Sequence, residues 1–177
     1  MTIQNTSIVL ETRGIAKRFG NNTVLDIVDF RLPKGVIYGI CGPNGTGKSV
    51  FLRILSGLIK PDRGEVEVFH QFIGSDVEFA PLTGILIDNP GFLLASSGRR
   101  NLELLASVSG KATKERVASA IRQVGLDPDD RRPVSTYSSG MRQRLGLAQA
   151  IMEDPDLLIL DEPTNGLDFE GQKEIYS

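Results

Sequence analysis

Apolar and polar residues along this chain fall into short blocks that alternate between two spacings. Ile8 to Glu11 and Val24 to Leu32 have strand composition, the second alternating around Leu25, Ile27 and Phe30. Pro33-Lys34-Gly35 marks a turn, and the apolar run Val36-Ile37-Tyr38-Gly39-Ile40-Cys41 predicts a strand. The spacing then changes: Val50, Phe51, Ile54, Leu55 and Leu58 share one helical face, which ends at Pro61-Asp62-Arg63-Gly64. Glu65 to Phe69 and Gly84 to Asp88 predict two more strands. Leu102, Leu105 and Val108 mark a helix, and Val117, Ile121 and Val124 mark the next. Pro128 to Pro133 is a polar linker, after which Met141, Leu145, Ala148 and Met152 form one helical stripe. Leu157-Leu158-Ile159-Leu160, four apolar residues in a row, suits a parallel strand buried on both faces. The order is βαβ-like with a helical interruption, and no internal repeat is visible.

Composition narrows the setting. With 177 residues, 40% hydrophobic and 24% charged, the chain is long enough for a substantial core. No apolar run approaches the ~18 residues of a membrane helix. The first seven residues lack the basic and apolar regions of a signal peptide. A single cysteine excludes an intrachain disulfide and suits a reducing compartment; Cys41 is expected to be a small buried hydrophobe. The lone histidine, His70, has no Cys or His nearby in sequence, which argues against zinc. A net charge of −2 offers nucleic acid no general attraction. Charge is uneven, however: residues 98–145 carry ten Arg/Lys against five Asp/Glu, and residues 153–174 carry eight acidic side chains against Lys173 alone. Such runs are usually solvated faces.

The chemistry concentrates first in Gly42-Pro43-Asn44-Gly45-Thr46-Gly47-Lys48-Ser49, which fits G-x-x-x-x-G-K-[ST] between an apolar run and a helix. Glycines at 42, 45 and 47 permit backbone conformations in which successive N–H groups converge on phosphate oxygens. The start of the helix adds the positive end of its dipole. Lys48 is placed to reach β/γ-phosphates, and the Ser49 hydroxyl to ligate Mg²⁺. Asn44 lies inside the loop. A second candidate ends the run Leu157–Leu160: Asp161 falls at the carboxyl edge of a strand, where open α/β sheets bind ligands. Asp161 can hold Mg²⁺ through its water shell, and Glu162 can orient or deprotonate an attacking water.

Between the two lies Tyr137-Ser138-Ser139-Gly140-Met141-Arg142-Gln143-Arg144. Here the chain resembles the ATP-binding cassette (ABC) ATPases: residues 137–141 are similar to their LSGGQ signature and 157–162 to their Walker B strand. The resemblance covers nearly all of the chain. It implies an α/β P-loop NTPase fold with a mostly parallel core sheet, an N-terminal antiparallel β part and an inserted helical subdomain at about residues 90–152. Residues 1–177 then form a single nucleotide-binding domain. It further implies that Phe19 stacks on adenine, and that Ser138 and Gly140 contact the γ-phosphate of ATP held by a partner subunit. Gly166-Leu167-Asp168 corresponds to the D-loop, with Asp168 crossing a head-to-tail dimer interface. ATP and Mg²⁺ are the implied cofactors.

Three positions depart from the family pattern. The signature reads YSSGM, with a thioether at Met141 where the family has an amide. Asp88 stands where the family has its Q-loop glutamine, and can still serve Mg²⁺ or its water. The family's switch histidine belongs on a strand beyond a helix starting near Phe169, a region this sequence does not include; that bears on turnover more than on ATP binding. The stretch Ile87 to Phe92, the run Gly98 to Leu102 and the SxGM signature resemble bacterial exporters of the bacitracin/lantibiotic-resistance type. The resemblance thus implies an ATPase subunit that powers a separate integral-membrane permease from the cytoplasmic face of the membrane, docked through residues 90–136, with no nucleic acid involved. Two alternatives remain. One is a non-hydrolysing nucleotide-binding module or fragment; the other is a non-transport ABC ATPase, which only the basic surplus at 98–145 favours.

Overall fold

The computed structural model describes residues 7–88, 90–167 and 171 of the chain. It divides into two compact units, one through Thr83 and one from Gly84 onward.

The first unit is built on an antiparallel sheet. Strands Ile8–Phe19 (β1), Asn22–Pro33 (β2), Arg63–Val68 (β3) and Gln71–Phe72 (β4) lie in the order β2-β1-β3-β4. β1 and β2 form a hairpin with Phe19 opposite Asn22, turning through Gly20 at φ 58°. Helix Lys48–Ser56 (α1) buries Phe51, Ile54 and Leu55, and the sheet contributes Leu10, Ile15, Val66 and Val68 to the core. The outer face of the sheet is charged. Glu11 and Glu67 face each other across the β1–β3 ladder, an unfavourable pairing that Arg13 offsets. Its guanidinium bonds Glu11 at 2.8 Å, Glu65 at 2.9 Å and Glu67 at 3.1 Å. Hydrogen bonds from Arg13 and Arg31 hold the Glu11 carboxyl below its usual range.

Several expectations change here. Among the described residues of this unit, Val36 to Cys41 pairs with no strand, and Ile37 is 99% exposed. An apolar run needs ladder partners to become a strand, and the antiparallel sheet has none placed for it. The segment is tied down instead by Tyr38, whose ring meets Phe30 edge-on at 5.1 Å. Cys41 is accordingly exposed, not buried. In β2 the alternation breaks: β1 advances two residues from Ile15 to Lys17 while β2 advances three, from Val28 to Leu25. Ile27 sits in that bulge at φ 49° and points to solvent. Helix α1 stops early, because Gly57 takes a left-handed cap at φ 87°, and Leu58 beyond it is exposed.

The second unit joins strands Thr83–Leu86 (β5) and Leu157–Leu160 (β6) to helices Gly98–Ser109 (α2), Lys114–Gln123 (α3) and Ser139–Ile151 (α4). Its core gathers Leu86, Leu102, Val117, Ile121, Val134 and Leu145. Ser97, Thr113 and Ser138 cap the three helices, each side chain accepting from the backbone N–H three residues on. Helix α2 does not bury the expected stripe. Its inward face carries Gly98, Asn101, Leu102 and Ala106, leaving Leu105 on the flank and Val108 82% exposed. A buried asparagine displaces the stripe: Asn101 accepts from Leu93 N at 2.7 Å and donates to the carbonyls of Leu93 and Ser97. It thereby holds the loop leading into α2 by satisfying backbone groups that the loop cannot pair itself. Gly98 packs closely beside it: a Cβ there would sit 3.0 Å from the Tyr137 hydroxyl, which would have to give way. Burial pushes the Tyr137 phenol above its usual range.

Candidate functional site

The candidate residues fall in both units. In the first, the loop from Gly42 to Gly47 leads directly into α1. Gly45 and Gly47 hold φ 82° and 90°, the left-handed region that side chains rarely enter. Gly47 is constrained twice, because a Cβ there would lie 2.8 Å from Val24 Cγ1 and 3.0 Å from Val24 O. The loop can therefore pass β2 only as glycine. Asn44 and Gly45 form its turn, and Thr46 Oγ1 donates to Pro43 O at 2.9 Å, bracing it from within. Lys48 Nζ folds back over the loop, donating to Gly42 O at 2.7 Å and Pro43 O at 2.9 Å. Its ammonium thus bridges the start of α1 to the carbonyls at the start of the loop. The first turn of α1 contains Lys48 and Ser49, whose free N–H groups and dipole make an anion cradle. Phe19, at the end of β1, is half exposed rather than in the core.

In the second unit, Asp161 and Glu162 follow β6. Asp161 N donates to Leu86 O at 2.7 Å, so it extends the β5–β6 pairing and sits at its edge. Asp88 lies just beyond β5, exposed and at φ 61°. Glu162 takes φ 46°, an uncommon conformation for a glutamate, and begins a turn closed by Asn165 N to Glu162 O at 3.0 Å. Asn165 Nδ2 also donates to the Glu162 carboxylate at 3.3 Å. From α4, Gln143 Nε2 donates to the carbonyls of Glu162 at 3.2 Å and Pro163 at 3.0 Å. Sequence reading singled out neither Gln143 nor Asn165 for this task; a glutamine that serves two backbone carbonyls twenty residues away leaves no local spacing signal. Gln143→Ala should lower stability by about 1 kcal/mol, since it removes two exposed or half-buried hydrogen bonds. The same change should depress any turnover that depends on Glu162 more than it weakens nucleotide binding; parallel denaturation and steady-state rates check this.

The signature segment opens α4. Ser138 caps the helix, its Oγ accepting from Met141 N at 3.1 Å. Gly140 lies so close to the Gly166–Leu167 turn that a Cβ would stand 3.1 Å from Gly166 O. Together these residues line a cavity of about 550 Å³, with Met141, Arg144, Gly125 and Leu126 completing its wall. Arg144 NH1 also bonds Val124 O at 2.7 Å, tying α4 to the end of α3. Asp168 and Phe169 lie outside the described residues. Among the described residues no three Asp, Glu, His or Cys side chains gather as a metal cluster. His70 is exposed beside Glu67, its Nδ1 at 3.3 Å from the carboxylate.

A loop built on required glycines and leading into a helix, on an α/β scaffold, places the chain in the P-loop class, and its backbone matches that of a solved structure. Over 94% of this chain and 79% of the other, it superposes with a TM-score of 0.83 and 22% identity on the dimeric bacterial ABC transporter cassette MJ0796. The ABC transporter family profile matches residues 25–165. This chain belongs to the ABC transporter family. It is 41% identical to the bacitracin transport ATP-binding protein BcrA of Enterococcus faecalis, over 96% of this chain and 55% of that protein. It is 36% identical to the lantibiotic transport ATP-binding protein SrtF of Streptococcus pyogenes, over 94% of this chain and 72% of that protein. The chain spans about half the length of several curated relatives it matches, BcrA at 55% among them. No helix among the described residues is long and apolar enough to cross a membrane.

Proposed function

We propose that this chain is the ATP-binding and ATP-hydrolysing part of a bacterial ABC exporter, driving a separate membrane permease from the cytoplasmic face. The observation that carries the reading is the loop at 42–49. Glycine is sterically required at Gly47, the ammonium of Lys48 lies across the loop, and the start of α1 faces the same cradle. Lys48 and the loop N–H groups would hold the β- and γ-phosphates. Ser49 and Asp161, with Asp88 as a further carboxylate, are suited to Mg²⁺: the ion takes few protein oxygens and completes its shell with phosphate and water. Magnesium would neutralise phosphate charge during transfer. Glu162, on its braced turn, would activate the attacking water. Phe19 would stack on adenine. Ser138 and Gly140 would offer a hydroxyl and a helix N-terminus to the γ-phosphate of a partner's ATP in a head-to-tail dimer.

Relatives named for bacitracin and lantibiotic transport and for daunorubicin resistance favour an exporter. The transported molecule would be selected by the permease, and the surface of residues 90–136 would dock it. Calorimetric titration of the purified chain with Mg²⁺-ATP is the direct test. Saturable binding with unit stoichiometry is expected, and no binding at millimolar nucleotide would overturn the reading.

A further inference from the structure

Phe19 is held by more than its place on β1. Lys17 and Phe19 lie two residues apart, so both side chains project from the same face of the strand. Lys17 Nζ stands 5.5 Å from the centroid of the Phe19 ring, within cation–π range. That ammonium is itself fixed, donating to Asp62 Oδ1 at 2.8 Å and to Lys60 O at 2.9 Å. The second carboxylate oxygen of Asp62 accepts from Arg18 N at 2.8 Å, and Asp62 N donates to Ala16 O at 2.9 Å. Asp62 therefore grips β1 on both sides of Lys17. Its carboxyl is held below the usual range, first by Lys17 and then by the Arg18 N–H. The lysine side chain is largely covered, at 15% exposure, while Phe19 remains 49% exposed.

We propose that Lys17 and Asp62 are positioning residues for nucleobase recognition, Asp62 holding the Lys17 ammonium against one face of Phe19 so that the other receives adenine. This rests on the reading of Phe19 as the adenine platform. A cation on one face of a phenyl ring draws π density toward itself. The opposite face becomes less negative and better suited to an electron-rich purine. The anchored ammonium also limits the ring's rotation at the hairpin end, so less orientational freedom is lost when a base stacks. A structural role for the Lys17–Asp62 pair, in contrast, has no reason to distinguish a nucleotide from its triphosphate alone.

The test compares affinities for ATP and inorganic tripolyphosphate, both with Mg²⁺, across variants of the full chain. The ratio of the two isolates the nucleobase, and thermal midpoints monitor folding. Phe19→Ala should lower the ATP preference about tenfold. Lys17→Met, which keeps the aliphatic stem, and Asp62→Asn, which keeps an acceptor for Arg18 N, should each lower it about threefold, and Lys17→Arg should restore it. An unchanged ratio in Phe19→Ala would remove the platform reading and the proposal with it. A ratio that falls in Phe19→Ala yet stays unchanged in both Lys17→Met and Asp62→Asn would overturn the proposal while leaving the platform intact.

Discussion

Lys48→Ala is expected to weaken Mg²⁺-ATP binding by about 100-fold, the scale of one or two charge-assisted hydrogen bonds lost from a phosphate site. The expectation follows from where the ammonium sits. Lys48 Nζ rests on the carbonyls of Gly42 and Pro43, within the loop proposed to hold phosphate. Both carbonyls belong to exposed residues, so water replaces the lysine as their partner and folding should change little. Binding and stability are thereby separated. A titration in which affinity collapses while the thermal midpoint holds supports the assignment. Unchanged ATP affinity would remove the loop from nucleotide binding.

How much of this was legible in the sequence depends on whether the information was local. The loop glycines, Lys48 and Ser49 declare themselves because the motif's chemistry lies in eight consecutive residues. Asp161 and Glu162 are proposed from the apolar run that ends in them, and Ser138 from its likeness to the family's signature. Partnership, by contrast, is not local. The run Val36 to Cys41 is apolar enough for a strand, yet among the described residues of the first unit nothing pairs with it, and Cys41 ends exposed. The hairpin to β4 was missed because its turn uses Phe69 and His70 at φ 47° and 63°, residues that carry no turn signal. Leu105 and Val108 matched a helical stripe, but Asn101 rather than a hydrophobe occupies the centre of the buried face of α2. Gln143 reads as one more polar position on an amphipathic helix. Only the fold brings its amide to the carbonyls that shape the Glu162 turn.

Glu162→Gln is expected to leave Mg²⁺-ATP binding within about twofold and to cut steady-state hydrolysis by at least about 100-fold, the lower end of what a positioned general base contributes. The substitution suits this site because the turn does not rest on the carboxylate's charge. Gln143 holds the main chain through the Glu162 and Pro163 carbonyls, and Asn165 N closes on Glu162 O. An amide oxygen can also still accept from Asn165 Nδ2. What the variant loses is the capacity to take a proton from water. ATP should then stay bound long enough for a closed dimer to accumulate, visible as an ATP-dependent doubling of mass in sedimentation. Because the chain spans about half of relatives such as BcrA, the two measurements carry different weight. Binding and dimerisation test the loop and the signature, whereas the rate tests Glu162. Hydrolysis undiminished in the variant would take Glu162 out of the mechanism and move the search for a base to other carboxylates such as Asp161 and Asp88.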